Sequence, residues 1–143
     1  MRKIKFRIWN LKDTFPDGSI DFIRMHYDPQ FSVTTGGGLH ILKGSWDSRW
    51  EWERLDEKDW VVMQNTGAKD SNNIEIYEGD IVMAQDIKTY QVIWDESKLG
   101  FALEEIGKTI ENASDGILSL NREYSSHITV MGNRFKGIKP SNG

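Results

Sequence analysis

Four carboxylates, Asp70, Glu75, Glu78 and Asp80, lie close together and could in principle hold Mg²⁺ or Ca²⁺, because hard cations prefer carboxylate oxygens. The calcium-loop spacing fails when read from Asp70. Its third position is Asn72, as such a loop requires, but the fifth is Ile74, the sixth is Glu75 in place of glycine, and the twelfth is Ile81 in place of glutamate. Glu75 also alternates with Ile74 and Ile76, which places it on the solvated face of a strand. Asp70, Asn72, Asn73, Gly79 and Asp80 therefore read as turn chemistry, with Asn and Gly supplying backbone conformations that other residues resist. No metal or other cofactor is expected.

The remaining catalytic templates are also missing. His26, His40 and His127 are scattered, with no i, i+4 pair to present two imidazoles to one metal. There is no Gly-x-Ser-x-Gly elbow, and the absence of cysteine removes thiol nucleophiles, thiolate zinc sites and disulfides together. Gly36-Gly37-Gly38 lacks the Lys-Ser/Thr that completes a phosphate loop and reads as a hairpin tip. No catalytic residue is assigned, and a non-enzymatic protein is expected.

Two groups of residues suggest binding instead. Lys3, Lys5, Arg7 and Trp9 share one face of an alternating strand, where cations beside an aromatic ring could grip a phosphate backbone and stack a base. The same pattern describes an ordinary solvated face. Trp46, Trp50, Trp52 and Trp60 crowd into one acidic and basic segment, and tryptophan is favoured at the centres of protein interfaces. They read either as a flap packed on the fold or as a patch for a protein partner or a second copy of the chain.

The elements that must position these residues are short strands. Arg2 to Trp9 alternates with period two, Ile20 to His26 and Leu39 to Leu42 are short extended pieces, and Phe15-Pro16-Asp17-Gly18 and Asp28-Pro29 are breakers. Trp46 and Trp50 have helical spacing, whereas Trp50, Trp52 and Arg54 have strand spacing; a strand over 49–55 is the preferred reading. A hairpin centred on Asn72-Asn73 and a corner at Gly79 follow. Tyr90, Val92 and Trp94 alternate, a polar turn spans 95–100, and Phe101-Ala102-Leu103 returns as a strand. Residues 114–123 read as a short helix, and Ile128 to Met131 as the last strand.

The order of Met1-Arg2-Lys3-Ile4-Lys5-Phe6-Arg7-Ile8-Trp9, Val62-Met63-Gln64-Asn65-Thr66-Gly67-Ala68-Lys69-Asp70, Ile76-Tyr77-Glu78-Gly79-Asp80-Ile81-Val82 and Val130-Met131-Gly132-Asn133 resembles the YopX-like family of phage and prophage proteins. Asn65 stands where that pattern usually has an aromatic, and Arg134-Phe135-Lys136-Gly137 replaces its acidic ending. The resemblance implies a β-rich fold with an SH3-like barrel and implies no activity, catalytic residue or cofactor.

Length and composition agree with one ordered domain. At 143 residues, a single chain buries roughly two-thirds of its unfolded surface, so stability does not demand a staple. Six tryptophans, six phenylalanines and four tyrosines, with only three prolines, describe a globular protein. A net charge of −4 argues against broad attraction to nucleic acid or anionic membrane. No apolar run approaches the ~18 residues of a membrane span, and no signal-peptide core is present, so a cytoplasmic location is expected, in the host cell if the gene is viral. Asn112-Ala113-Ser114 matches a glycosylation sequon by chance on this reading.

The expected fold is mainly β with one or two short helices. Residues 1–61 form an N-terminal strand and loop region, 62–136 an SH3-like barrel on which it packs, and 137–143 a frayed tail. The expected role is that of a phage or prophage accessory protein acting through protein contacts or self-assembly. Nucleic-acid binding by the basic first strand is the alternative.

Overall fold

The computed structural model describes residues 5–27, 31–33, 39–44, 50–56, 58–107 and 117–138. The described chain is mainly β, as the alternating patterns require. It divides into two compact units, residues 5–63 and 64 onward, and the boundary falls inside one long strand.

The N-terminal unit contains β1 (Phe6–Asn10), β2 (Met25–Tyr27), β3 (Phe31–Val33), β4 (Leu39–Gly44), β5 (Trp50–Leu55) and the start of β6 (Trp60–Lys69). β1 lies between β2 and β6 and pairs antiparallel with β2 through Arg7 and Tyr27, Ile8 and His26, and Trp9 and Met25. β3, β4 and β5 form an antiparallel meander in which Leu39 faces Leu55 across the ladder. Ile8, Leu39, Leu55 and Trp60 make the core of this unit, with Phe6 and Phe15 against it. Full burial of a leucine or isoleucine side chain contributes about 1.5–3 kcal/mol. The expected strand and loop region is thus a set of paired strands with its own core. Its sheet was obscured in the sequence because the strands are short and paired across long separations.

The C-terminal unit begins with the rest of β6 and adds β7 (Glu75–Tyr77), β8 (Asp80–Met83), β9 (Thr89–Asp95), β10 (Gly100–Glu105), β11 (Ile117–Ser119), α1 (Arg122–Ser125), β12 (Thr129–Asn133) and β13 (Gly137–Ile138). Six strands in the order β11-β10-β9-β8-β12-β13 form a curled half-barrel sheet. Its concave packing gathers Ile76, Val82, Tyr90, Val92, Leu103 and Ile128 into one core. Ile76, Tyr90 and Val92 are apolar positions of the period-two runs, whereas Ile74 and Trp94 of the same runs are exposed.

Two expectations need correction here. The helix expected over 114–123 gives way to β11, whose Ile117, Leu118 and Ser119 pair with Glu104, Leu103 and Ala102, and to a single turn of helix after it. Edge pairing satisfies the backbone of 117–119, while Asn121 Oδ1 caps the later turn by accepting the Tyr124 N–H at 2.7 Å. The tail expected from 137 starts as a strand instead. Gly132 pairs with Ile138 and Asn133 with Gly137, and Asn133 Oδ1 closes the connection by accepting from Phe135 N (3.0 Å) and Lys136 N (2.9 Å). Gly36-Gly37-Gly38, the sequon and the last five residues lie outside the described residues.

Candidate interaction site

The central hairpin and the Gly79 corner are fixed by carboxylates. Asp70 is buried, and its Oδ1 accepts from the N–H groups of Asn72 and Ile74, both at 2.9 Å. Its Oδ2 accepts from Val130 N at 2.9 Å, which ties the hairpin turn to β12. Asn73 adopts φ 64°, and Gly79 φ 89°. Asp80 is also buried and accepts from Tyr77 N at 2.8 Å, closing the corner. The Arg134 N–H then donates to the Gly79 carbonyl at 2.9 Å, so the Glu-Gly-Asp and Gly-Asn segments meet in one joint. Asn65 is buried with its Oδ1 taking the Gly67 N–H at 2.7 Å inside a bulge of β6, a backbone role in place of aromatic packing. Among the described residues, no group of three or more histidine, aspartate or glutamate side chains could hold a metal ion.

A second polar cluster, which sequence reasoning missed, lies in the N-terminal unit. Asp21 is buried, and its Oδ1 accepts from Arg24 N (2.9 Å) and Ile23 N (3.2 Å). Its Oδ2 takes a hydrogen from Asn10 Nδ2 at 3.0 Å and lies 2.7 Å from His26 Nε2. Asn10, fully buried, donates again to the Thr14 carbonyl at 2.9 Å and accepts from Lys12 N at 3.1 Å. The His26 ring packs against both Phe15 and Trp60, with centroids 5.8 Å from each. Burial pushes the Asp21 carboxyl up, but hydrogen bonds from His26, the Arg24 backbone and Asn10, with the attraction of His26, outweigh it and hold the group below its ordinary value of 3.8.

This cluster fixes the shape of a turn whose apolar side chains face water. Phe22 is 88% exposed and Ile23 65%, with Ile20 beside them also exposed. The turn ends at Arg24, which sits at φ 62°, a left-handed conformation costing roughly 1 kcal/mol or more for a residue with a Cβ. Three contacts offset that cost. Arg24 Nε donates to the Asn10 carbonyl at 3.1 Å, Nη2 to the Leu11 carbonyl at 3.0 Å, and the guanidinium stands 4.5 Å from the centre of the Trp9 ring. The signal in the sequence was the run Ile20-Asp21-Phe22-Ile23, which breaks period two. The run is a turn held by Asp21; of the strand expected over 20–26, Met25 and His26 lie in β2, which continues to Tyr27, and Ile20 makes an isolated bridge to Thr14.

The residues proposed for binding are placed differently from one another. Arg7 and Trp9, expected on a solvated face, are 3% and 5% exposed. β1 is an interior strand, so both its edges are paired, and on the Trp9 face the Arg24 guanidinium lies over the ring. Lys5 is half-buried, and Lys3 lies outside the described residues. Trp60 is buried against Phe15 and His26 and cannot form part of an exposed patch, whereas Trp52 is 53% exposed. Trp50 lies on β5, and Trp46 lies outside the described residues.

Comparison with known proteins agrees on the fold. A family model described as YopX protein matches residues 21–137. Among solved structures the chain is similar to protein yopX from Bacillus subtilis, at 16% identity over 93% of this chain and 94% of that one, with a TM-score of 0.58. It is also similar to a protein from Enterococcus faecalis, at 24% identity over 92% of each chain, with a TM-score of 0.46. No curated protein matches the sequence.

Proposed function

Because the chain belongs to the YopX family, we propose that it is a non-enzymatic phage or prophage accessory protein that works through protein contacts, self-association included, in the host-cell cytoplasm. The observation that carries this reading is the turn bearing Phe22 and Ile23. Its apolar side chains are in water while its backbone N–H groups at Ile23 and Arg24 donate to the buried Asp21 carboxylate. A pre-ordered projection of this kind loses little conformational entropy on docking, which is how rigid aromatic anchors come to dominate interfaces. Trp52 offers a further exposed aromatic in the same unit. No helix among the described residues is long and apolar enough to cross a membrane.

Light scattering of the purified protein, with pull-down from a lysogenic or infected cell, tests the proposal. An assembly or a specific partner is expected, and Phe22→Ser with Ile23→Ser is expected to weaken it without lowering the melting temperature. A strictly monomeric protein with no recoverable partner overturns the reading. The nucleic-acid alternative loses Arg7 and Trp9 to burial, and absence of any gel shift at low salt, where phosphate contacts are strongest, disposes of it.

A further inference from the structure

A cavity of about 360 Å³ opens in the N-terminal unit, with Phe15 and Trp60 among its walls and Lys12, Arg54, Asp56 and Asp59 around it. Its volume falls in the range of small-ligand sites. The two rings are 6.2 Å apart at 32°, so they form one continuous aromatic surface. The charged groups differ in how far they are committed. Lys12 and Asp59 pair at 3.3 Å, and Asp56 Oδ1 accepts from Lys58 N at 3.0 Å. The Arg54 side chain makes no hydrogen bond or ion pair with the described residues, and it lines a second cavity together with Lys58. The pleat of β5 turns Arg54 away from Leu55, which is in the core. Directly across the ladder from Arg54 stands His40, whose Nδ1 is buried without a hydrogen-bond partner.

We infer that this cavity binds a small molecule carrying a planar aromatic ring and an anionic group. The ring packs on Phe15, with the largely buried Trp60 ring behind it, and the anion meets the uncommitted guanidinium of Arg54, whose planar fork matches a carboxylate or phosphate with two hydrogen bonds. At the rim Lys12 offsets the charge of Asp59, one oxygen of Asp56 is taken by the Lys58 N–H, and the amine arm of the test below measures whether the remaining charge of Asp56 outweighs Arg54.

The test titrates the whole protein with 3-phenylpropionate, its neutral amide and phenethylamine. The readouts are calorimetry and the Trp60 indole N–H resonance, assigned with Trp60→Phe. Saturable binding of the acid that moves the Trp60 resonance is expected, with the amide at least about tenfold weaker. Arg54→Gln should bring the acid down to the level of the amide, and Arg54→Lys should retain an intermediate affinity. Arg54 is exposed, so an unchanged melting temperature for both variants separates loss of binding from loss of fold. Equal binding of acid and amide, tighter binding of the amine, or no movement of the Trp60 resonance overturns the inference.

Discussion

Replacing Asp21 by alanine should unlock the turn and destabilise the N-terminal unit by about 3–8 kcal/mol. The figure follows from where each hydrogen bond goes. The N–H groups of Ile23 and Arg24 belong to a turn open to water and can be resolvated, at a cost of roughly 0.5–1 kcal/mol each. Asn10 Nδ2 and His26 Nε2 are buried, and each loses its carboxylate partner at roughly 1–3 kcal/mol. For a chain of this length each kcal/mol corresponds to roughly 3 °C, so the melting temperature should fall by about 10 °C or more. Asp21→Asn should cost less, about 2 kcal/mol, because its Oδ1 still serves the two backbone donors while its Nδ2 confronts the Asn10 amide.

Urea denaturation followed by tryptophan fluorescence measures both variants, since Trp9 and Trp60 are buried in the affected unit. The pH dependence adds a signature. The folded Asp21 carboxyl lies below its ordinary value of 3.8, so its stabilising contribution is fully present above that pH and is lost as pH falls through the folded value. The aspartate protein should therefore lose stability in acid more steeply than Asp21→Asn. A loss below about 1 kcal/mol for Asp21→Ala, or identical acid limbs for the two proteins, refutes the lock.

The C-terminal unit supplies independent tests. Asp70→Ala removes the acceptor for three backbone N–H groups, including the tie to Val130, and should cost about 3 kcal/mol in urea denaturation. Ile87 is exposed and held at φ 66°, so Ile87→Gly should raise stability by roughly 0.5–1 kcal/mol despite the added freedom of the unfolded chain. A Cβ on Gly132 would come within 2.0 Å of the Gly137 carbonyl oxygen, so Gly132→Ala should detach β13, seen as fast amide exchange at 137–138. Burial, followed by the bond to Asp86, pushes the Tyr90 phenol up. Its stabilising contribution is whole below the ordinary value of 10.0 and falls as pH rises beyond it, so Tyr90→Phe should flatten the alkaline limb of a melting curve.

What the sequence determined by itself was local. Period-two alternation identifies the strands of the C-terminal half because Tyr90, Val92 and Leu103 are apolar on the face that must be buried. Asn73 and Gly79 mark turns because the backbone there takes positive φ, a preference written in the residue type. Tertiary structure decided what depends on partners far along the chain. Arg7 and Trp9 look solvated by alternation, yet both are buried in the folded unit, Trp9 beneath the guanidinium of Arg24, a residue far along the chain. Residues 117–119 follow the edge of β10, because strand pairing satisfies their backbone there. Asp21 was illegible because its four partners, Asn10, Ile23, Arg24 and His26, become a site only when the turn folds back on β1. Turn chemistry is encoded by single residues, whereas burial is a property of neighbours that the linear sequence does not place.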